Sequence, residues 1–184
     1  MYFDTIIAGF GGQGVMFIGN LLATAAMEAG ANVTYMPVYG VEMRGGTANC
    51  TVVISSRPIG SPLVYYPMST LVMNRPSAEK FAPRVKRSGF VLVNSSLVER
   101  EQVPAKTKRV YMVPALELAA QAGESKLANM VMLGAMAELS GVVSVSQIVE
   151  AMNHTLEGRP QKLLELNRKA LEAGAEFAQE KLMS

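Results

Sequence analysis

The chain has 184 residues, of which 49% are hydrophobic and 17% charged, and its formal net charge is +2 at pH 7. This size and apolar content predict a single domain over residues 1–184, and a nearly neutral chain without a stripe of Lys and Arg is a poor partner for nucleic acid. One cysteine, Cys50, and one histidine, His154, exclude a disulfide framework, an iron–sulfur site of several cysteines and a zinc site of several histidines within this chain.

The first half of the chain alternates strands and helices. Apolar runs predict strands at residues 3–8, 32–36, 47–55 and 71–73. Apolar residues on one helical face predict a helix over residues 15–29, which Gly30 ends as a C′ glycine. A second helix is expected from Pro76, a residue suited to a first helical turn, to about Val85.

The second half of the chain adds two short strands and then becomes helical. The strands are expected at 90–93 and 110–113, and the helices at 116–122, 127–139, 145–156 and 163–182. Strand–helix alternation followed by a helical C-terminal third predicts an α/β fold. We expect a three-layer, Rossmann-like arrangement in which helices cover both faces of a mostly parallel sheet. No apolar run approaches about 20 residues and no basic-then-apolar leader opens the sequence, so we expect a cytoplasmic protein without a membrane partner.

A glycine-rich loop, Gly9-Phe10-Gly11-Gly12-Gln13-Gly14, joins the first strand to the first helix. Its Gly-x-Gly-x-x-Gly spacing fits a dinucleotide fingerprint, in which N–H groups at a helix start bind phosphate. That fingerprint also requires an acidic residue after the second strand, and residues 29–41 contain no Asp or Glu. The glycines can instead allow a tight turn and close helix packing, bind another phosphate or carboxylate, or face the cofactor site of a partner subunit. Gln13 either donates to a phosphate or caps the helix.

A second candidate loop follows the second strand. It combines three glycines with an acid and a base two residues apart, in the residues Tyr39, Gly40, Glu42, Arg44, Gly45 and Gly46. The two charges form either a solvated ion pair or part of a ligand site, since open α/β sheets bind ligands at the carboxyl ends of their strands. Both loops leave the carboxyl ends of what we take to be neighbouring strands, and we expect them to converge on one crevice.

The remaining polar residues provide no catalytic group. His154 lies on a helical stretch as a surface or packing residue, and Cys50 is expected to be a buried, inert thiol. Asn129, a polar residue within an apolar helix, either bonds a neighbouring turn or contacts a partner. We therefore expect no catalytic residue and no metal ligand, which is more typical of a subunit than of a complete enzyme.

Together, these segments resemble the gamma subunit of 2-oxoacid:ferredoxin oxidoreductases, of the 2-oxoglutarate, 2-oxoisovalerate or pyruvate type. Besides the two loops, the resemblance rests on Val53-Ile54-Ser55, Ile59-Gly60-Ser61-Pro62, Asn94-Ser95-Ser96, the block Asn129–Ala135 and Asn167-x-x-Ala170. Members that act on indolepyruvate are similar but typically carry Gln rather than a Glu-x-Arg spacing before Arg-Gly-Gly. They remain an alternative.

The resemblance implies a multisubunit enzyme that converts a 2-oxoacid and coenzyme A (CoA) to acyl-CoA, carbon dioxide and reduced ferredoxin. Thiamine diphosphate with Mg²⁺ would lie between alpha and beta subunits, and the Fe–S clusters would lie on other polypeptides, including a ferredoxin-like delta subunit where one is present. The chain itself would bind none of these cofactors, be inactive alone, and dock against the catalytic subunits beside a CoA channel through its two loops. A stand-alone, Rossmann-type nucleotide-binding dehydrogenase is the alternative from a different class of protein. Only the glycine spacing favours it.

Overall fold

Six strands form one mixed sheet in the computed structural model, which describes residues 1–39 and 47–183, with only the backbone of Tyr39. The strands are β1 (Tyr2–Phe10), β2 (Asn32–Tyr39), β3 (Thr47–Ser55), β4 (Ser69–Val72), β5 (Phe90–Asn94) and β6 (Val110–Val113). Their order across the sheet is β2-β3-β1-β4-β5-β6. Strands β1, β4, β5 and β6 pair in parallel, whereas β3 is antiparallel to both β1 and β2. The predicted α/β fold with a mostly parallel sheet is confirmed, and the single antiparallel strand is an addition to it.

Helices cover both faces of the sheet, as predicted. They are α1 (Val15–Glu28), α2 (Arg75–Phe81), α3 (Ala115–Ala122), α4 (Ala128–Ser140), α5 (Val145–Thr155) and α6 (Gln161–Met183). On one face, α1 and α3 to α6 bury the larger core together with alternate strand residues such as Ile7. On the other, α2 and its flanking segments bury a smaller core against Ile6 and Ala8, because successive strand residues point to opposite faces. Within residues 1–39 and 47–183, no helix is both long and apolar enough to span a bilayer.

Three predicted boundaries were wrong for identifiable reasons. Strand β1 continues to Phe10, since Gly9 and Phe10 still pair with β3. Strand β2 continues through Pro37 to Tyr39, because an edge strand tolerates the missing N–H of proline. Helix α2 ends at Phe81 and a 3-10 turn follows, because Pro83 cannot supply the N–H that would continue an α-helix.

The order of the strands corrects the expected relation between the two candidate loops. Strand β3 lies between β1 and β2, so the loops do not leave neighbouring strands. Phe10 pairs with Thr47 and Tyr39 pairs with Ala48. The carboxyl ends of β1 and β2 therefore both lie beside the amino end of β3. The predicted loop residues Gly40, Glu42, Arg44, Gly45 and Gly46 lie outside the described residues.

Cys50 is buried between β3 and α1, where its Sγ lies 3.6 Å from the carbonyl oxygen of Val15. A side chain at Gly19 would overlap this sulfur, so the thiol packs directly against the backbone of α1. Burial raises the pKa of the Cys50 thiol to about 12. These observations confirm that the thiol is buried.

We expect Cys50 to resist thiol reagents in the folded protein. Near pH 8, its raised pKa leaves about 1,000-fold less thiolate than an ordinary cysteine has, and the thiolate is the reactive form. Labelling with a chromogenic disulfide reagent should therefore count no thiol in the native protein and one thiol in denaturant. Rapid labelling without denaturant would contradict the burial.

Candidate functional site

A crevice of about 260 Å³ lies at the carboxyl ends of β1, β4 and β5. Its lining residues come from the glycine loop, from the exits of two strands and from the start of α4, namely Gly12, Gln13, Met73, Asn94, Leu97, Leu116, Ser125, Lys126, Ala128 and Asn129. This edge is where open α/β sheets bind ligands, because strand exits and helix starts meet there. The crevice is therefore the candidate functional site.

Gln13 fastens the glycine loop to the exit of β4. Its Oε1 accepts hydrogen bonds from the backbone N–H of Phe10 at 2.7 Å and from the Asn74 Nδ2 at 2.8 Å. Its Nε2 donates to the carbonyl oxygen of Met73 at 3.4 Å. Of the two roles expected for Gln13, capping of α1 is wrong, since no side chain caps that helix and the amide instead bridges two loops. Donation to a phosphate stays a prediction.

Two buried asparagines extend this network along the strand exits. Asn74, after β4, accepts from the N–H of Ser77 at 3.0 Å and so also caps α2. Asn94, at the end of β5, donates to the same Met73 carbonyl oxygen at 3.4 Å and accepts from the N–H of Ser96 at 3.2 Å. These bonds hold the crevice floor in one arrangement, because each buried amide has partners fixed by the backbone.

The glycine loop packs directly against Asn129 at the start of α4. Gly12 has a φ of 97° and Gly14 a φ of 72°, in the left-handed region that favours glycine. A side chain at Gly14 would also overlap the Asn129 amide, so close packing is one established reason for this glycine. The Asn129 Oδ1 is buried without a hydrogen-bond partner. Such an atom is costly unless a ligand or partner satisfies it.

The crevice carries little charge. Lys126 is the one charged residue among those that line it. The N-terminus of α1 has no side-chain cap and no acidic residue in its first turn, and it borders the other side of the glycine loop through Val15 and Met16. Its partial positive charge is therefore not neutralised locally.

Two carboxylates flank the lining. The Ser96 hydroxyl donates to Glu117 on α3, and this bond lowers the pKa of Glu117. The Glu124 Oε1 accepts the backbone N–H of Lys126 at 3.2 Å.

A second depression, of about 340 Å³, lies on the other side of the glycine loop. It is mostly apolar, with Phe10, Met16, Phe17 and Ala48 in its lining. Of the predicted loop residues, Gly11, Gly12 and Gly14 border this depression, and Gly12 and Gln13 border the crevice. Gly9 lines neither. It lies in β1, where a side chain would come within 2.7 Å of the Gln13 Oε1.

Asn74 and Lys126 are site residues that the sequence analysis missed. The signal for Asn74 was its place directly after an apolar strand, at the edge where ligands bind. For Lys126 there was no local signal, because only the packing of α4 beside the glycine loop brings it to the crevice. Among the described residues, no cluster of three His, Cys, Asp or Glu side chains could hold a metal ion.

The geometry also weighs against a dinucleotide site. In that fold the strand after the first helix lies beside β1, so that its terminal acid reaches the ribose. Here β3 occupies that position and β2 lies one strand farther away. Both the missing acid and the strand order therefore disfavour the dehydrogenase alternative.

Known proteins are similar to this chain over nearly its whole length. The family profile named pyruvate ferredoxin/flavodoxin oxidoreductase matches residues 4–177. Ketoisovalerate oxidoreductase subunit VorA of Methanothermobacter thermautotrophicus is 41% identical over 96% of this chain, which spans only 36% of VorA. 2-Oxoglutarate synthase subunit KorC of Methanocaldococcus jannaschii is 34% identical, over 95% of this chain and 92% of KorC.

A solved structure shows the same architecture. The gamma subunit of a keto/oxoacid ferredoxin oxidoreductase from Geobacter sulfurreducens superposes with a TM-score of 0.81 at 30% identity, over 97% of this chain and 99% of that one. The resemblance to gamma subunits seen in the sequence motifs is thereby confirmed. On these matches in sequence and in fold, the chain belongs to the pyruvate ferredoxin/flavodoxin oxidoreductase family.

Proposed function

We propose that this chain is the non-catalytic gamma subunit of a multisubunit 2-oxoacid:ferredoxin oxidoreductase. The complex would convert a 2-oxoacid and CoA to acyl-CoA and carbon dioxide and pass the electrons to ferredoxin. The observation that carries the proposal is the crevice, whose lining has amides, one serine, one lysine and apolar side chains, and in which no described base is hydrogen-bonded to the Ser125 hydroxyl. Such a site can bind and orient a ligand, and the chemistry is left to other subunits.

The crevice suits one part of a CoA molecule. Small-molecule pockets usually enclose about 300–1,000 Å³, so a crevice of about 260 Å³ holds only a portion of such a ligand. Lys126 attracts phosphate groups within the crevice, and the uncapped start of α1 attracts them on the other side of the glycine loop. The buried Asn129 Oδ1 can accept a hydrogen bond from the ligand or from a partner subunit. We infer that the loop Gly11–Gly14 and Asn129 form one wall of a CoA channel.

The cofactors belong elsewhere in this proposal. The described residues contain no acidic cluster that could bind Mg²⁺ with thiamine diphosphate, and the sequence has one cysteine where an Fe–S cluster needs several. The alpha, beta and ferredoxin-like delta subunits would supply them. The loop from Tyr39 to Gly46 stays a prediction as the second wall. The 2-oxoacid is set by the partner subunits, and an indolepyruvate-type complex remains one of the possibilities that the assay below distinguishes.

Reconstitution tests this proposal. The isolated chain should show no reduction of a viologen dye with CoA and any of pyruvate, 2-oxoglutarate, 2-oxoisovalerate or indolepyruvate. Activity with one of these acids should appear when the alpha and beta subunits from the same source are added. Full activity of the chain alone would contradict a non-catalytic role.

Calorimetric titration separates the two classes of function. The assembled enzyme is expected to bind CoA, and the isolated chain is expected to show no tight binding of NAD or NADP. Tight NAD binding without a response to CoA would reverse the proposal in favour of a dehydrogenase.

A further inference from the structure

Charge is distributed unevenly along this chain. Residues 56–110 carry ten Lys or Arg and three Glu, a net charge of +7. The rest of the chain carries seven basic and twelve acidic residues, a net charge of −5. The basic segment includes α2 and its connections, which cover one face of the sheet, whereas α3 to α6 lie on the opposite, acidic face.

Exposed aromatic and apolar side chains lie within the basic segment. Tyr65 is 70% exposed, Tyr66 67% and Leu63 57%, on the connection between β3 and β4. Arg84 holds this connection in place, because its Nε donates to the Tyr65 carbonyl oxygen at 2.9 Å and its Nη2 to that of Val64 at 3.0 Å. Single exposed apolar side chains are ordinary on a monomer, but these three fall within four consecutive residues and so form a cluster.

Buried anchors fix the connection just beyond the tyrosines. The Oδ1 of Asp4, which is 2% exposed, accepts the N–H of Met68 at 2.5 Å, and the carbonyl oxygen of Pro67 accepts the N–H of Lys86 at 3.0 Å. The Lys86 Nζ lies 3.9 Å from the Asp4 Oδ2. The backbone of this connection is therefore ordered before a partner binds, so binding would lose little conformational entropy there.

Basic residues lie beside the connection that carries the tyrosines. Tyr65, Phe81 and Arg84 line one depression. The Phe81 ring has the Lys80 Nζ 5.3 Å and the Arg84 guanidinium carbon 5.5 Å from its centroid, and Arg87 is exposed in the turn before β5. The neighbouring acid on α2, Glu79, is bound by Arg75 at 2.7 Å. Glu99 and Glu101 lie on the next connection, together with Arg100, Lys106 and Lys108. The basic patch is defined here as Tyr65, Tyr66, Lys80, Arg84, Lys86 and Arg87.

We propose that the basic patch is a docking surface for an acidic surface of a partner subunit. The inference rests on the proposed function, which supplies the complex, and it adds an interface distinct from the crevice. Apolar and tyrosine side chains with a charged rim are typical of protein interfaces, where Tyr and Arg contribute most of the binding energy. Nucleic-acid interfaces are more polar and more uniformly basic. The positive charge selects a partner surface rich in Asp and Glu.

The position of the patch separates it from the crevice. Met68 directly precedes β4 and Arg87 precedes β5, so the patch lies toward the amino ends of these strands. The crevice lies at their carboxyl ends. A subunit that contacts CoA through the crevice and a subunit that binds the patch therefore approach opposite edges of the sheet.

Zero-length cross-linking of the native complex tests the contact directly. A carbodiimide joins a lysine amine to a carboxylate that touches it, and mass spectrometry identifies both peptides. We expect Lys80 and Lys86 to be linked to Asp or Glu of another polypeptide of the complex. We expect Lys162, exposed on α6, to form no such link and to remain open to an amine reagent.

Charge reversal tests the energetics with a matched control. The binding partner in this test is the complex prepared without this chain. At low ionic strength, the double variant K80E/R87E should bind that complex about tenfold or more weakly than the unmodified chain does. High salt should reduce this difference in affinity. The control R159E/K181E makes the same charge change on the acidic face, and its lysine also lies over a phenylalanine ring. It should bind within about twofold of the unmodified chain.

The outcomes separate this inference from the proposed function. A chain that never assembles with alpha and beta subunits contradicts the proposed function itself. A chain that assembles while Lys80 and Lys86 keep their full reactivity toward an amine reagent contradicts the docking surface alone. Cross-links only between two copies of this chain, or selective binding of a labelled oligonucleotide that K80E/R87E abolishes, would also overturn the proposed partner.

Discussion

Replacing Gly174 by alanine is expected to lower the free energy of unfolding by about 3 kcal/mol, although alanine is the better helix former by about 1 kcal/mol. Helices α4 and α6 cross at two glycines. A side chain at Gly174 would overlap the carbonyl oxygen of Val131, and a side chain at Gly134 would overlap that of Leu171. These obstacles are backbone atoms, which cannot rotate away as a flexible side chain does. The helices must therefore separate, and the buried contacts on both sides of the crossing weaken.

Urea unfolding followed by circular dichroism measures this effect. Gly60→Ala is the matched control, because a methyl group added at Gly60 would meet no other residue's heavy atoms within 4 Å beyond its chain neighbours, and Gly60 lies in a connection. The unfolding midpoint of this variant should stay close to that of the unmodified chain. The double variant G134A/G174A should lose less than the sum of the single losses, because one separation of the helices accommodates both side chains. A Gly174→Ala protein as stable as the original would show that the helices do not meet in this way.

Replacing Gln13 by leucine is expected to reduce the kcat/KM of the assembled enzyme for CoA by about tenfold or more, because small displacements of a binding loop have large catalytic effects. Leucine fills a similar volume but accepts no hydrogen bond. The Phe10 N–H and the Asn74 amide then lose their shared acceptor. We expect the isolated chain to be destabilised by about 2 kcal/mol, the usual cost of leaving buried polar groups unpaired.

Two companion variants show whether the loop position is responsible. Gln13→Glu keeps an acceptor for both donors, so it should recover part of the lost activity. Gln121→Leu makes the same substitution at an exposed site on α3 and should change neither activity nor stability appreciably. Unchanged CoA kinetics in the Gln13→Leu enzyme would mean that the glycine loop does not face CoA.

The order and type of the elements could be predicted because each depends on short-range patterns. Alternation and helical periodicity repeat within a few residues, and they located the six strands and six α-helices found in residues 1–39 and 47–183. Gly30 ends α1 with a φ of 86°, as its place after the helix predicted. The boundaries of β1 and β2 depended instead on pairing with β3, a strand that follows later in the chain.

In the candidate site, too, local features could be predicted from the sequence and long-range contacts could not. The glycine loop was recognisable because phosphate-binding loops have a local glycine spacing, and the motif blocks were sufficient to indicate the family. The role of Gln13 was not recognisable, because its partners Met73 and Asn74 lie 60 and 61 residues away. Nor could local pattern reveal that Asn129 packs on Gly14, or that Arg84 bonds the carbonyl oxygens of Val64 and Tyr65.

Sequence alone was therefore enough to specify an α/β chain with a glycine loop between its first strand and first helix and with no evident catalytic group. The tertiary structure decided that β3 lies beside β1, which moves β2 out of the position that a dinucleotide site requires. It also decided that the glycine loop is held by an amide network and forms one wall of a crevice. The physical reason is that periodicity is a property of neighbouring residues, whereas strand order and hydrogen-bond partners depend on contacts between residues far apart in the chain.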